Sequence, residues 1–327
     1  MLALIILATF IGLASLGQSH MTFARIALNG EWQTPTRFIR NKTAPFVEPY
    51  SPGGFVASRK YVDPTYPFDL PDSVRCGRDS VAYAHGTEIL KVKAGDTLEF
   101  LSFPFSPVSW STYSEVPDVQ WYNCSGGRGG CSVTRPNLFS IVHQGPVVVH
   151  LSKAPAGQDV RAYNGSGEWV KIYTVGLEIR PERAQPVFWL PLNDNQGSPR
   201  FIFKLPTQTP AGQYLLRMDQ IWPGVSDGAT QIPPQLYPAC AQIEVESAVT
   251  GELPDGIKIP EGLSNTSAGR EQLSLKSNQW ISKLTGLEGM SVSNDQYYSL
   301  NVDVGYVYPG GPLWDGEKLL EDKAPSS

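Results

Sequence analysis

The sequence lacks the features that mark nucleic-acid-binding and membrane-spanning proteins. Its 327 residues carry a formal net charge of −5 and no block of basic residues, so neither nucleic acid nor a membrane is an expected partner. The longest apolar run, residues 2–16, is shorter than the roughly 20 residues of a membrane-spanning helix. This run ends in small residues before His20, and we interpret residues 1–19 as a secretory signal peptide, although they include no Lys or Arg. An uncleaved anchor is the alternative.

Cysteine is also scarce, with only Cys76, Cys124, Cys131 and Cys240. An even number behind a signal peptide indicates two disulfides formed in an oxidising compartment. Cys124 and Cys131 flank a glycine-rich loop, which favours a local bridge between them and leaves Cys76 to pair with Cys240. No Cys-x-x-Cys spacing is present, which argues against a thiolate metal site.

Four Asn-x-Ser/Thr sequons agree with a secreted, extracellular protein, and they lie at Asn41, Asn123, Asn164 and Asn265. Asn123 is the weakest of them because Cys124 follows it directly. We therefore predict glycosylation at Asn41, Asn164 and Asn265.

Helical periodicity is weak along the chain, and the best helical candidate is residues 271–284. Alternating apolar and polar residues instead predict short strands at 89–100, 146–151, 200–205, 214–218 and 240–246. In the last of these, Ala241, Ile243 and Val245 should face the core, and Gln242, Glu244 and Glu246 should face solvent. With 31 glycines and 28 prolines, this pattern predicts an all-β, immunoglobulin/fibronectin-like β-sandwich with long loops. We expect one domain over residues 20–315 and a disordered polar tail over 316–327.

Histidine is as rare as cysteine, and the four are His20, His85, His143 and His150. Cleavage before His20 would leave an N-terminal histidine, whose α-amine and imidazole can chelate one metal ion together. An amine, two imidazoles and open positions favour copper(II), whereas zinc would normally use further histidines, carboxylates or thiolates. A lone internal histidine is more often structural than a ligand, and we interpret His85 and His150 in that way.

Six segments, taken in order, resemble the fungal lytic polysaccharide monooxygenases of auxiliary activity family nine. They are HMTF at 20–23, IVHQGPVVVHLSKAP at 141–155, GEWVKI at 167–172, TPAGQYLLR at 209–217, QLYPACAQI at 235–243 and YVYPGGPL at 306–313. The resemblance extends from His20 to about Trp314.

The resemblance implies one copper ion in a histidine brace. His20 would supply its amine and one imidazole nitrogen, and His143 would supply the third nitrogen. Tyr237 matches the axial tyrosine of the family, with a core aromatic as the alternative. Gln235 matches a glutamine that can hydrogen-bond an oxygen species beside the metal, with a solvated loop amide as the alternative.

The resemblance further implies a long-range bridge between Cys76 and Cys240. It also implies an exposed aromatic at Tyr308 that stacks on sugar rings, although a buried packing role is the alternative for this residue. Phe46, Tyr50 and Trp314 are weaker candidates for the same surface.

The function implied by the resemblance is a secreted, monomeric copper enzyme that cleaves insoluble cellulose or a related β-glucan oxidatively, using an external electron donor. The family commonly carries a further histidine in Arg-x-Glu-x-Ile-x-Leu-His. Here the chain has RMDQIWPG at 217–224, and no histidine follows His150. Asp219 and Gln220 are the candidates to take part of its role. The alternative is therefore a brace-containing copper-binding protein with little or no oxygenase activity. A hydrolytic glycosidase would need two flanking carboxylates, and no such pair stands out.

Overall fold

The computed structural model describes the larger part of the chain. The residues described are 21–42, 62–103, 141, 143, 145–179, 187–191, 201–222, 225–226, 231–232, 234–263, 291–292, 300–301 and 307–324. Several predictions lie outside these residues, namely those for the signal peptide, His20, Phe46, Tyr50, Cys124, Cys131, Asn265 and the helix at 271–284.

Strands dominate the described residues. They are β1 Thr22–Leu28, β2 Glu31–Trp32, β3 Leu90–Lys93, β4 Thr97–Phe103, β5 Val147–Lys153, β6 Val170–Val175, β7 Leu177–Ile179, β8 Val187–Trp189, β9 Phe201–Lys204, β10 Gly212–Trp222, β11 Val225–Ser226, β12 Gln231–Ile232, β13 Gln235–Leu236, β14 Ala239–Glu246, β15 Ser291–Val292, β16 Leu300–Asn301, β17 Leu313–Trp314 and β18 Leu319–Leu320. The described helices are short: α1 spans Pro71–Cys76, and 3-10 helices span Ser80–Gly86, Val160–Ala162 and Glu261–Leu263. No helix in the described part of the chain is long and apolar enough to cross a membrane.

Two sheets form the sandwich. The smaller has the strand order β2-β1-β4-β9, and the larger has β18-β17-β6-β5-β10-β14-β3 with β13 paired to β10. The main core lies between them, with Phe23 and Phe100 from the small sheet and Val149, Leu216 and Ile243 from the large one. The predicted all-β sandwich is confirmed, and each of the five predicted strand regions contains at least one strand.

The large sheet is buried on both faces. A second core cluster covers its outer face, where Val148 and Leu215 pack with Val74 of α1 and with Trp169. For this reason β5 and β10 are continuously buried over most of their length instead of alternating. Parallel pairing of β3 with β14 and of β17 with β6 completes this sheet.

Burial of the outer face corrects one prediction for β14. Ala241, Ile243 and Val245 are buried as predicted, but Gln242 is fully buried as well. Its side-chain carbonyl accepts a hydrogen bond from Arg40 Nε at 2.9 Å, and its amide donates to the carbonyl of Thr87 at 2.8 Å. The predicted exposure of Gln242 is wrong because the segment carrying Arg40 covers this part of the sheet.

A second correction concerns the C-terminal segment, which is ordered to residue 324 in this structure. β18 pairs antiparallel with β17, and Ala324 is buried. Asp322 forms an ion pair with the fully buried Lys171 of β6 at 2.6 Å. The prediction of a disordered tail from residue 316 is therefore wrong.

The structure joins Cys76, at the end of α1, to Cys240 of β14 in a disulfide across 164 residues of sequence. This is the pairing that the family resemblance implies. The disulfide fixes α1 to the outer face of the large sheet. Cys240 lies three residues after Tyr237 in the chain.

Candidate metal centre around His143 and Tyr237

The end of β10 positions the candidate site through its pairing with β13. In this antiparallel pair Ile221 lies opposite Leu236 and Trp222 lies opposite Gln235. Residues directly opposite each other point to the same face, so the side chains of Trp222 and Gln235 are neighbours. Tyr237 follows β13 immediately.

Two backbone contacts hold Tyr237 against β10. Its N–H donates to the carbonyl of Gln220 at 3.1 Å and to Asp219 Oδ1 at 2.7 Å. The other oxygen of Asp219 accepts from Arg217 Nη2 at 2.6 Å, and neither of these two side chains is exposed. Burial raises the pKa of Asp219, while Arg217 opposes that shift. Asp219 therefore supports the turn that carries Tyr237.

The phenol of Tyr237 is held by Gln235. Tyr237 is 1% exposed, and its hydroxyl donates to Gln235 Oε1 at 2.6 Å. Burial raises the pKa of Tyr237 well above its ordinary value, and the nearby Tyr66 and Asp63 act in the same direction. The phenol is consequently neutral at any ordinary pH. Gln235 is buried, so its alternative interpretation as a solvated loop amide is wrong.

His143 lies beside this pair and is held by the same end of β10. The centroids of the His143 and Tyr237 rings are 5.9 Å apart, and the indole of Trp222 stacks on the imidazole at 4.7 Å with 25° between planes. Gln220 Nε2 also reaches the carbonyl of His143 at 3.4 Å. The structure thus brings His143, Tyr237 and Gln235 together, three residues that the sequence placed in one site.

His20 lies outside the described residues, but its neighbour is informative. Met21 is buried in the main core cluster, to which Ile141 and Tyr237 also belong. β1 begins at Thr22. The chain thus leads from position 20 into the core cluster that contains Tyr237.

A dense group of buried charges lies behind Tyr237. Arg78 pairs with Asp69 at 3.1 Å, and both side chains are almost fully buried. Lys42 is buried nearby, and burial lowers its pKa to about 7 although Asp219 acts in the opposite direction. Asp219 and Gln220 are therefore engaged with backbone groups of Tyr237 and His143 and with this network. These contacts give both residues a structural role.

The other two histidines differ from His143. His150 is fully buried in β5, and its Nε2 donates to the carbonyl of Gly310 at 2.9 Å. Burial lowers the pKa of His150 well below its ordinary value, with Arg217 and Lys171 acting in the same direction, so the imidazole is neutral. The structural interpretation of His150 is confirmed. His85 is exposed in the 3-10 helix Ser80–Gly86.

The predicted sugar-stacking role of Tyr308 is wrong because the side chain is only 5% exposed. Its hydroxyl accepts a hydrogen bond from the N–H of Leu177 at 2.7 Å, and burial raises its pKa. Lys171 Nζ donates to the carbonyl of Pro309 at 3.1 Å. Trp314 is equally buried and is not a surface aromatic either. The packing alternative holds for Tyr308 because buried groups of the large sheet anchor the segment that carries it.

Two predicted glycosylation sites lie within the described residues, and both are half-buried. Asn164 Nδ2 donates to Asp72 Oδ1 at 3.1 Å, and Asn41 Oδ1 accepts from the N–H of Lys42 at 2.8 Å. Glycosylation at Asn41 and Asn164 stays a prediction.

Sequence reasoning missed Trp222. The available signal is its place in RMDQIWPG, two residues before the position of the missing family histidine.

Comparison with known proteins agrees with this geometry. The model of Auxiliary Activity family 9 (formerly GH61) matches residues 20–280. An AA9 family lytic polysaccharide monooxygenase D of Emericella nidulans is 28% identical over 250 residues, which cover 76% of this chain and 70% of that protein. A protein of the same description from Aspergillus tamarii is 26% identical over 242 residues, covering 74% and 70%.

Solved structures show the same fold. The structure of CvAA9A superposes with a TM-score of 0.52 and 18% identity, covering 91% of this chain and 100% of that chain. The crystal structure of HiLPMO9B gives a TM-score of 0.53 and 19% identity with the same coverage. At these identities the likeness concerns the fold alone.

Proposed function

Because the chain belongs to Auxiliary Activity family 9, we propose that it is a secreted, monomeric, copper-dependent monooxygenase that cleaves cellulose or a related β-glucan oxidatively. The observation that carries the proposal is the convergence of the His143 imidazole, the Tyr237 phenol and the Gln235 amide at the end of β10. The similar proteins of Emericella nidulans and Aspergillus tamarii are lytic polysaccharide monooxygenases by name, which supports polysaccharide as the substrate class.

The described donor groups suit copper. Within the described residues, no three His, Cys, Asp or Glu side chains are grouped to hold a metal ion, so a zinc site of the usual composition is not formed there. His143 offers an imidazole, and the amine and imidazole of His20 would complete a nitrogen set that copper(II) favours. Tyr237 would lie beside the metal as a neutral phenol. Copper would supply one-electron chemistry with an external donor and activate the oxygen cosubstrate, which side chains cannot do.

The side chains of the site hold and orient one another. The side-chain carbonyl oxygen of Gln235 accepts the hydrogen bond from the Tyr237 hydroxyl. The amide nitrogen of Gln235 is therefore the atom that can donate a hydrogen bond toward a cosubstrate. Asp219 holds the backbone of Tyr237, so the phenol stays fixed relative to His143. The raised pKa of Tyr237 keeps its proton on the phenol oxygen.

A second candidate function is copper binding with little or no oxygenase activity. The observation that favours it is the composition at the end of β10: Trp222 contacts His143, and the sequence has no histidine after His150. Indole carries no basic nitrogen and cannot take up or release a proton in place of imidazole.

The test uses mature protein whose N-terminal His20 is verified by mass spectrometry. Copper-loaded protein is incubated with ascorbate and cellulose, then with hemicelluloses, and compared with a chelated sample and with His143→Ala. We expect oxidised oligosaccharides only from the copper-loaded wild type. Stoichiometric copper binding without oxidised products on any of the polymers would favour the second candidate, and products from His143→Ala would contradict the assignment of His143.

A further inference from the structure

Trp222 is the residue in closest ring contact with His143. It is the last residue of β10, and its indole lies 4.7 Å from the imidazole with 25° between ring planes. This is a stacked geometry, in which rotation of the imidazole about its bond to Cβ would drive it into the indole. The Tyr237 ring lies 5.9 Å from the same imidazole at a 30° tilt. The imidazole of His143 thus has an aromatic neighbour on each of two adjoining elements, β10 and the turn after β13.

The end of β10 also holds the backbone of the segment that carries His143. Gln220 Nε2 donates to the carbonyl of His143 at 3.4 Å, and the N–H of Ile221 donates to the carbonyl of Pro146 at 3.0 Å. The last residues of β10 therefore contact both the backbone of this segment and, through Trp222, the ring of His143. The position of His143 and the orientation of its ring thus both depend on the last residues of β10.

Within the described residues, the side chain of Trp222 is 8% exposed and belongs to neither of the two clusters of buried hydrophobic residues. By contrast its neighbour Ile221 is part of the outer cluster, and Tyr237 is part of the main core. Trp222 instead stacks on the ring of His143.

We propose that Trp222 is a positioning residue for His143: its indole fixes the plane of the imidazole and thereby sets the affinity and geometry of the metal centre. The inference rests on the proposed copper function for its consequence at the metal, whereas the stacking itself belongs to the metal-free protein. Indole has no exchangeable basic site, so Trp222 acts through orientation and not through proton transfer.

Two substitutions separate stacking from simple filling of space. Trp222→Phe keeps an aromatic face, and Trp222→Leu keeps an apolar side chain without one. Trp32→Leu is a matched control, because Trp32 belongs to β2 of the smaller sheet, where it pairs with Ala27 of β1, whereas Trp222 belongs to the larger sheet. Circular dichroism and thermal melting verify that each variant is folded.

The first measurement uses metal-free protein labelled at histidine, whose four residues give a simple NMR spectrum. We expect the ring protons of His143 to be shifted upfield by the indole in the wild type, and this shift to persist in part in Trp222→Phe and vanish in Trp222→Leu. A wild-type His143 without an upfield shift would overturn the inference, whatever the protein does with copper.

The second measurement is copper(II) titration by calorimetry, with electron paramagnetic resonance of the loaded protein. A stacked aromatic pair contributes roughly two- to tenfold in an equilibrium constant, so Trp222→Leu should bind copper several-fold more weakly and show altered copper hyperfine splitting. Trp222→Phe should lie within about twofold of the wild type, since part of the same contact remains. Wild-type affinity and an unchanged spectrum in Trp222→Leu would overturn the inference while the copper function stands. Failure of the wild type itself to bind copper would instead refute the proposed function, and the NMR result would still decide whether Trp222 fixes His143.

Discussion

At the level of single residues, the structure separates the histidines by what surrounds each imidazole. His143 is beside a phenol and an indole at the end of a strand, whereas His150 is fully buried between Lys171 and Arg217, its partners across β6 and β10. His150 satisfies one nitrogen on the carbonyl of Gly310. Burial and two cationic neighbours make protonation of His150 unfavourable in the folded protein.

This environment predicts that stability falls on acidification. The pKa of His150 is lowered in the folded state, so below about pH 6.5 the unfolded chain binds a proton that the folded protein does not. The stabilisation is therefore complete above pH 6.5 and is lost as the pH falls below it. His150→Gln keeps an N–H donor for Gly310 but does not titrate, and we expect its unfolding free energy to fall about 1 kcal/mol less than that of the wild type between pH 7 and 5.5.

Urea unfolding at the two pH values measures this difference. His85→Gln is the control, because it makes the same replacement at a histidine that is exposed. Equal pH dependence in His150→Gln and the wild type would show that His150 is not the group responsible.

At the level of elements, local sequence predicts strands well but does not reveal what covers them. The apolar alternation of β3 and β14 identifies the inward residues, because period-2 burial is a property of each strand alone. Gln242 was misassigned because its cover comes from Arg40, 202 residues away in sequence. The polar residues after Trp314 suggested disorder because nothing local shows that Asp322 is the counterion of buried Lys171.

Because of this ion pair, we expect the attachment of the C-terminal segment to depend on the negative charge of Asp322. Asp322→Asn would leave the charge of Lys171 buried without its counterion, which typically costs about 3–5 kcal/mol. Thr174 Oγ1, which donates to Asp322 Oδ2 at 2.6 Å, would lose a charged acceptor as well. We expect residues 307–324 to detach from β6 and become sensitive to protease, with cleavage sites identified by mass spectrometry.

Glu321→Gln is the matched control for this experiment. Glu321 is the adjacent acidic residue, and its ion pair with Lys323 is well exposed on both sides. Exposed pairs contribute about 0–1 kcal/mol, so this variant should resist protease like the wild type. Equal resistance in Asp322→Asn would contradict the anchoring role of Asp322.

For the molecule as a whole, the sandwich brings residues from distant segments to one site. Within the described residues, His143, which precedes β5, lies there beside Tyr237, which follows β13. The sequence predicted the members of this site through family resemblance and the strand pattern. It did not predict Trp222, because the stacking depends on the pairing of β10 with β13 and on the course of the chain before β5. The local periodicity of the sequence shows neither this strand pairing nor this course of the chain.

The most direct test of the account compares two forms of the protein in copper titration: one that begins at His20, verified by mass spectrometry, and one with a single extra residue before it. The account predicts that the extended form binds copper(II) far more weakly, because the α-amine is then displaced from the imidazole of His20 and from His143. It also predicts no release of oxidised oligosaccharides from cellulose by the extended form. Equal copper affinity in the two forms would contradict the proposed histidine brace.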